Sequence, residues 1–566
     1  MKRKADSLSS REGSAKKARV EVKTEEEPEV IHDARCSSYA TERLGCLPCV
    51  THAIEFLIQD DLLWLFWFDR QGTIQTTGIN FIQDLPRFMV LLLALSRLDR
   101  SDWGIPAEFP DGIDVPVQDS ILDFPASQIQ NDSIVEDSGT SDKSTTSDDS
   151  TVDHAPANNE ATGEDPTLEG SSTAQDTYTA EQHIIKVNWV DYLYCAPPTS
   201  GRATRVYGAS EDGRKEGLIL KIAYPDQSRV AEQEIVHRAR TANVDSTFLI
   251  KMHLPNLICA MDMWDSGDVR EAVGLMASDA DRKKRRVLRV TVYDRLTPLH
   301  HLRGKDFRRC WFQIVHCDYL LWKKGICHND PSLGNFAVRI VDGVHYGVLN
   351  DWDLATIVGL PSDEGVERTG TPPFMAVDLC HRNFWEGKIV RLYRHELEGK
   401  IWVLVWTHLQ YDDDNEFQSH RVLVQWTGDL FTARNSKGAM HNDLYEFVPL
   451  APWKSEWPLT RRLCWMLHDA EYARVCIRNG HWEKPHIYSK MQGEIQGVEL
   501  SMEQVYVQFW IAVKEFYGKQ GDLEGYRELR EALHLPVDVD QSECSSRLTP
   551  KEGRTVGSDS DVLVRE

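Results

Sequence analysis

Long apolar segments are absent from this sequence of 566 residues. Its longest apolar run, Phe88 to Leu95, is far shorter than the roughly 20 residues that a membrane-spanning helix needs. The N-terminus carries no apolar core of the kind found in secretory signal peptides. We therefore expect a protein that is neither transmembrane nor secreted and that has no membrane partner.

Paired cysteine motifs and net positive charge are also missing. The twelve Cys residues are scattered, which is typical of reduced thiols in the cytosol or nucleus, and Cys46-x-x-Cys49 has no second ligand pair downstream. The formal net charge of −24 disfavours nucleic acid as a partner. In contrast, a hydrophobic content of 41% and 17 Trp residues predict a substantial buried core.

Aromatic residues are absent from residues 126–177. Such a segment buries too little apolar surface to offset the entropy of ordering, so we expect it to be disordered. The N-terminal tail holds Lys2-Arg3-Lys4 and Lys16-Lys17-Ala18-Arg19, a spacing that indicates a bipartite nuclear localisation signal in a nuclear or cytoplasmic protein. The predicted order is a disordered basic tail, an N-terminal region, the disordered acidic insertion, a main domain and a disordered tail, at residues 1–30, 31–125, 126–177, 178–537 and 538–566.

Hydrophobic periodicity places regular elements in the two predicted globular regions. In the N-terminal region it predicts strands over Leu62–Phe68 and Thr73–Phe81 and a helix with Asp84 as its N-cap that runs to Leu98. In the main domain the predicted elements are strands Leu218–Ala223 and Val287–Tyr293, helices Arg229–Ala239 and Phe307–Lys324, and a hairpin of Phe336–Ile340 with Tyr346–Leu349.

Three polar side chains flank that hairpin: Asp330, Asn335 and Asp351. Because paired strands bring the loops at their ends together, we expect a carboxylate, an amide and a second carboxylate at one site. Phosphoryl transfer needs such a set, since one Asp orients the nucleophile's proton while an Asn and another Asp hold Mg²⁺ against the phosphates.

The same stretch resembles the catalytic core of protein kinases, whose catalytic loop reads H-R-D-x-x-x-x-N and whose metal loop reads D-F-G. His328, Asp330 and Asn335 match the first motif, and Asp351-Trp352-Asp353 stands at the second. With Gly370-Thr371-Pro372-Pro373-Phe374-Met375-Ala376 downstream, the sequence is most similar to the fungal-type protein kinase family. That resemblance implies an α+β, bilobal kinase-like fold with a small β-rich lobe, a larger helical lobe, an N-terminal α/β extension and disordered segments.

The resemblance extends to the small lobe. Gly201-Arg202-Ala203-Thr204-Arg205-Val206-Tyr207 is similar to the loop that covers the phosphates, although it keeps only one of the usual glycines. Lys221 would contact the α- and β-phosphates, and Glu232 rather than Glu234 would hold Lys221. The cofactor-binding residues that the resemblance implies are Gly201, Arg202, Thr204, Val206, Lys221 and Glu232.

As the resemblance implies, ATP and Mg²⁺ would be the cofactors and the Ser or Thr hydroxyl of a protein would be the acceptor. Asp330 would orient that hydroxyl and would act with Lys221 and Asn335 as the catalytic set. Asn335 and Asp351 would be the metal ligands. The sequence leaves the oligomeric state, the substrate protein and the role of residues 31–125 open.

Several positions depart from the usual kinase pattern. Asn329 replaces the catalytic-loop Arg, Ser332 replaces the Lys two residues after the catalytic Asp, and Glu396 replaces the Asp that usually braces this loop. Asp353 replaces the metal-loop Gly and is expected to restrict the backbone there. These departures leave a nucleotide-binding pseudokinase scaffold open as an alternative. A small-molecule kinase similar to choline or aminoglycoside kinases is a further one.

Overall fold

A computed structural model describes most of the two predicted globular regions. The described residues are 34–46, 49–105, 120–124, 183–196, 201–214, 217–242, 247–276, 278, 282, 285–360, 370–478 and 499–536. The three segments predicted to be disordered, residues 1–30, 126–177 and 538–566, lie outside the described residues, and so does the predicted localisation signal. Within the described ranges, no helix is both long enough and apolar enough to cross a bilayer.

The chain forms two compact units, Met1–Ile105 and Pro106–Glu566. The elements of the first unit are α1 (Ala34–Cys46), β1 (His52–Gln59), β2 (Leu62–Asp69), β3 (Gly72–Gln75), β4 (Ile79–Asn80) and α2 (Leu85–Leu95). β2 pairs antiparallel with β1, β3 and β4. Ala40 and Leu44 of α1 pack with Ala53 of β1 and Phe66 of β2, so the helix covers the sheet and closes a small core.

The predicted strand Thr73–Phe81 is wrong as one element, because the chain forms two short strands, β3 and β4, instead. Gly78 lies between them against the Trp64 indole, where a Cβ atom would come within 3.0 Å of the ring. The predicted N-cap of α2 is confirmed, since the Asp84 carboxylate accepts a hydrogen bond from the Arg87 N–H. α2 ends at Leu95, three residues earlier than predicted.

The second unit begins with a sheet and the helices that accompany it. These elements are β5 (Ser120–Phe124), β6 (His183–Cys195), β7 (Arg205–Glu211), β8 (Leu218–Ala223), α3 (Glu232–Thr241), β9 (Leu257–Asp265), α4 (Gly267–Ala272) and β10 (Val287–Asp294). The strand order is β5-β6-β7-β8-β10-β9, with antiparallel neighbours. Residues 120–124, which the sequence analysis grouped with the N-terminal region, pair with β6 and extend this sheet.

The remaining elements of the second unit are mostly helical. They are β11 (Thr297–Pro298), α5 (Gly304–Lys323), β12 (Ile326–Cys327), β13 (Phe336–Val341), β14 (Val344–Leu349), β15 (Thr356–Ile357), α6 (Arg382–Trp385), α7 (Tyr393–Gln410), α8 (Leu430–Asp443), α9 (Trp457–Arg478), α10 (Met502–Gln520) and α11 (Leu523–Ala532). Every residue of α7 is buried, so this helix is the axis of the core. Trp311, Phe312 and Trp510 are buried in the same core as Trp402 of α7.

This architecture confirms the predicted α+β fold class, with a small β-rich part followed by a larger helical part. The predicted strand Leu218–Ala223, the hairpin and the long helix before the catalytic loop are all confirmed. The helix predicted from Arg229 begins instead at Glu232, because Ala231 keeps an extended backbone at its N-cap.

Candidate active site

The candidate site lies where α5 and the β13–β14 hairpin end. Gly325 follows α5 with a φ of +76°, a left-handed conformation that glycine adopts without strain. β12 then leads into the catalytic loop. The Asn350 N–H donates to the Asn335 carbonyl oxygen at 2.8 Å, which joins the start of the hairpin to its end. The fold therefore brings Asp330, Asn335 and Asp351 to one place, as the sequence predicted.

The Asp330 carboxylate is held by hydrogen bonds to both of its oxygens. The Asn335 side-chain amide donates to Oδ2 at 3.1 Å and to the Asp330 carbonyl oxygen at 2.9 Å. The Thr371 hydroxyl and N–H donate to Oδ1 at 2.8 and 3.1 Å. Thr371 lies in residues 370–376, which the family resemblance implies to be the segment that docks a substrate (the docking segment), but its contact with Asp330 could not be predicted from the sequence. Asp330 is thereby fixed against the docking segment.

His328 links this loop to the metal loop. Its ring is buried; Nδ1 accepts from the Asp330 N–H at 3.3 Å, and Nε2 lies 2.9 Å from the Asn350 carbonyl oxygen. An acceptor at Nδ1 and a donor at Nε2 describe one neutral tautomer. Burial lowers the pKa of His328, which favours that neutral form. His328 therefore joins the two loops by hydrogen bonds as a neutral imidazole.

Lys221 on β8 lies at the centre of a cluster of carboxylates. Its Nζ is 2.8 Å from Glu232, 2.7 Å from Asp351 and 2.8 Å from Asp353. The predicted choice of Glu232 as partner agrees with this geometry, because Glu234 instead pairs with Arg238 on the surface. Burial and the neighbouring Asp353 carboxylate raise the pKa of Glu232, and the Lys221 ammonium opposes that rise.

Asp353 is a site residue that the sequence does not predict, because in the sequence it stands only as a replacement for glycine. Its side chain is 4% exposed and lies between Lys221, at 2.8 Å, and Arg202, at 3.1 Å. Burial opposes ionisation, but these two cations hold the pKa of Asp353 well below its usual range. A D-x-D motif facing a strand lysine was the signal that could have identified it.

The loop predicted to cover the phosphates adopts an unusual backbone. Gly201 and Ala203 both have positive φ angles, +61° and +46°, which are strained at the alanine. Thr204 is buried, and its carbonyl oxygen accepts from the Ala196 N–H. Val206 is the cross-strand partner of Lys221. Of the residues predicted to contact the cofactor, Arg202, Lys221 and Glu232 lie in one charged cluster. Thr204 is buried, and Val206 lies opposite Lys221 on the neighbouring strand.

Glu396 is connected to the catalytic loop through Arg391. Its buried carboxylate lies 3.3 Å from Arg391, and the Arg391 guanidinium also donates to the Asn329 carbonyl oxygen. Asn329, at a φ of +68°, donates through its side chain to the Leu354 carbonyl oxygen and the Thr356 hydroxyl at 3.1 and 2.9 Å. The catalytic loop is thus tied both to α7 and to the segment after the metal loop.

The residues fit a divalent cation at Asp351 and Asn335. The Asn335 amide nitrogen is committed to Asp330, which leaves its carbonyl oxygen for a ligand. Asp351 is 32% exposed and contacts Lys221 through one carboxylate oxygen. Carboxylate and amide oxygens are the donors that Mg²⁺ prefers. The close group of Glu232, Asp351 and Asp353 is a weaker candidate, because the Lys221 ammonium contacts all three.

Comparisons with known proteins find similarity to kinases. Residues 313–408 match the sequence profile described as fungal protein kinase. A serine/threonine-protein kinase PLK4 from Nematostella vectensis is 28% identical over 103 residues, which are 18% of this chain and 9% of that relative. The solved kinase PK-1 of the Cydia pomonella granulovirus has a TM-score of 0.30 and 13% identity, covering 53% of this chain and 88% of that one. The resemblance to fungal-type protein kinases is confirmed through residues 313–408, which include the catalytic and metal loops.

Proposed function

We propose that this protein is a protein kinase that transfers the γ-phosphate of ATP to Ser or Thr hydroxyls of a protein substrate in the presence of Mg²⁺. The match of residues 313–408 to fungal protein kinases supports kinase activity in general. The observation that carries the finer proposal is the contact of Thr371 with Asp330, because it joins the docking segment to the catalytic carboxylate.

Each of the candidate site residues has a definable task in this reaction. Lys221 neutralises the α- and β-phosphates, and Asp351 and Asn335 would hold Mg²⁺, which supplies charge neutralisation at the transferring phosphoryl group. Asp330, oriented by Thr371 and Asn335, accepts the proton of the attacking hydroxyl. Catalysis then depends on alignment and on fixed charges rather than on a covalent step.

The docking segment supports a protein substrate over a small molecule, because side chains of α7 and α8 hold its backbone and that of the adjoining Val377 in place. The buried Lys437 ammonium on α8 donates to the carbonyl oxygens of Pro372 and Met375 at 2.8 and 2.7 Å. Glu398 on α7 accepts from the Val377 N–H at 2.7 Å. A backbone segment fixed in this way next to Asp330 offers a stable surface for an extended peptide.

The proposal is tested by measuring transfer of labelled γ-phosphate from Mg²⁺-ATP to a peptide library and to the protein itself. Asp330→Asn keeps the shape of the side chain and one accepting oxygen for Thr371, but its NH2 group cannot accept from Asn335 and the amide accepts a proton poorly, so we expect a rate loss of about 10²- to 10⁴-fold. ATP-dependent thermal stabilisation should persist in the variant. ATP binding without transfer by the wild type would contradict the proposal in favour of a scaffold, and label confined to Tyr or to a small molecule would correct the acceptor.

Lys437→Met should impair use of a protein substrate selectively. The change removes the donor to Pro372 and Met375 while keeping the length of the side chain, so the docking segment loses two anchors. We expect the KM for a peptide substrate to rise at least about tenfold, because losing one hydrogen bond to a charged group already accounts for about that factor and two are lost, with the KM for ATP unchanged. Steady-state kinetics with each substrate varied provide the measurement, and Lys454→Met at an exposed position is the matched control. An equal change in both KM values would indicate a general structural defect.

A further inference from the structure

The catalytic loop lacks one cation that phosphoryl transfer ordinarily uses. Ser332 stands two residues after Asp330, where Ser/Thr kinases place a Lys, and its side chain is buried. A triphosphate nevertheless needs positive charge distributed along its length. Among the described residues, Arg202 is the cation that lies beside Lys221 in the candidate site, since both contact the same oxygen of Asp353.

Arg202 is held in the site but remains accessible. Its Nη1 lies 3.1 Å from the Asp353 Oδ2 atom, and its side chain is 22% exposed. A guanidinium carries five N–H donors in a planar fork, so one nitrogen facing Asp353 leaves others directed elsewhere. Burial alone would lower the pKa of Arg202, but Asp353, Asp351 and Asp330 raise it, which places the group in the field of the whole acidic site.

Asp353 connects the two cations and is itself fixed. The Arg229 guanidinium donates to the Asp353 carbonyl oxygen at 3.3 Å. The N–H of Trp352, the preceding residue, donates to the Glu232 carboxylate at 3.0 Å. Because Asp353 replaces a glycine, the backbone of the metal loop is more restricted, and the loop gains a carboxylate that contacts Lys221 and Arg202. The glycine-poor loop that carries Arg202 is thereby tied to the metal loop.

We propose that Arg202 is a phosphate-binding residue for ATP and that Asp353 is the positioning residue that holds it beside Lys221. The inference rests on the proposed kinase function and extends it to the phosphate contacts. Arg forks pair well with phosphate oxygens, and an anchored side chain loses less conformational entropy on binding. Arg202 then supplies positive charge that Ser332 does not. This loop would bind phosphate through a charged side chain, whereas glycine-rich loops bind phosphate through backbone amides.

The test is calorimetric binding of Mg²⁺-ATP, Mg²⁺-ADP and adenosine to the full chain. Arg202→Met removes the charge and keeps the length, so we expect ATP affinity to fall about 30-fold, in line with the loss of a charged hydrogen bond, and adenosine affinity to be unchanged. Arg202→Lys should lie between the two, because it keeps the charge and loses the fork. Asp353→Asn should weaken ATP binding by a smaller factor than Arg202→Met.

The outcomes separate this inference from the kinase proposal. Unchanged ATP affinity in Arg202→Met, or an equal loss for ATP and adenosine, would overturn the phosphate role. If Arg202→Met does not fold, as judged by its thermal unfolding, the same comparison is made with Arg202→Lys. Adding Ser332→Lys to Arg202→Met should recover part of the lost ATP affinity, and a complete failure of that rescue would count against charge replacement. A wild-type chain that binds ATP through Arg202 but phosphorylates nothing would refute the kinase proposal alone.

Discussion

Asp351→Asn is expected to abolish phosphoryl transfer while leaving the fold intact. The change removes a carboxylate that contacts Lys221 at 2.7 Å and that we propose to hold Mg²⁺. Loss of one preorganised charge at a reacting group costs about 10²- to 10³-fold, and loss of the metal site adds to it, so we expect a fall in kcat of about 10³-fold or more. The measurement is kcat at saturating ATP over a titration of Mg²⁺.

The Asn substitution is chosen because of the backbone at this position. Asp351 has a φ of +59°, and Asn tolerates this left-handed conformation better than other side chains that carry a Cβ atom. Lys221 would keep Glu232 and Asp353 as partners, so its charge stays compensated. Thermal unfolding should therefore match that of the wild type, and Asp413→Asn, at an exposed acidic residue, is the matched control. A variant that keeps more than about a tenth of kcat would contradict the metal assignment.

Short-range sequence patterns predicted much of the site. Asp330 and Asn335 are five residues apart on one loop, and Asp351 follows the hairpin that begins there, so strand pairing alone brings them together. Lys221 could be identified because a lysine in an apolar strand needs a partner, and the first turn of the next helix supplied Glu232.

The contacts that the sequence did not predict join segments far apart in the chain. Arg202 meets Asp353, and Arg391 meets Asn329; nothing in the local pattern of either partner indicates the other. Such pairs become visible only when the packing of strands and helices is known. The sequence likewise predicts one strand where the chain forms β3 and β4, since the contact of Gly78 with Trp64 depends on tertiary packing.

The brace behind the catalytic loop depends on a buried ion pair. Asp318 on α5 and Lys400 on α7 are both fully buried, with Lys400 Nζ 2.7 Å from Asp318 Oδ2. Lys400 also lies 3.9 Å from Glu396, which pairs with Arg391. A cation at this position partly offsets the cost of burying two carboxylates. One ammonium group therefore couples α7 to α5, the helix that leads into the catalytic loop.

Lys400→Met is accordingly expected to lower the free energy of unfolding by about 3–5 kcal/mol, because it leaves the Asp318 carboxylate buried without its partner. Urea unfolding of the variant and of the wild type measures the difference. Adding Asp318→Leu should recover most of the loss, since removing both charges avoids the unpaired one. If the double variant is no more stable than Lys400→Met, the pair is not the source of the defect.

The pH dependence of Lys400→Met gives a second measure of the same pair. Burial raises the pKa of Asp318 even with Lys400 present, and removing that cation raises it further. A carboxyl whose folded-state pKa exceeds its unfolded value binds a proton more readily in the folded chain, so the stability of the variant falls as the pH rises. Lys400→Met should therefore be closer to the wild type at pH 5 than at pH 8, as judged by urea unfolding at each pH. The opposite order would mean that the carboxylate reaches solvent when Lys400 is absent, and that α5 and α7 separate locally at the catalytic loop.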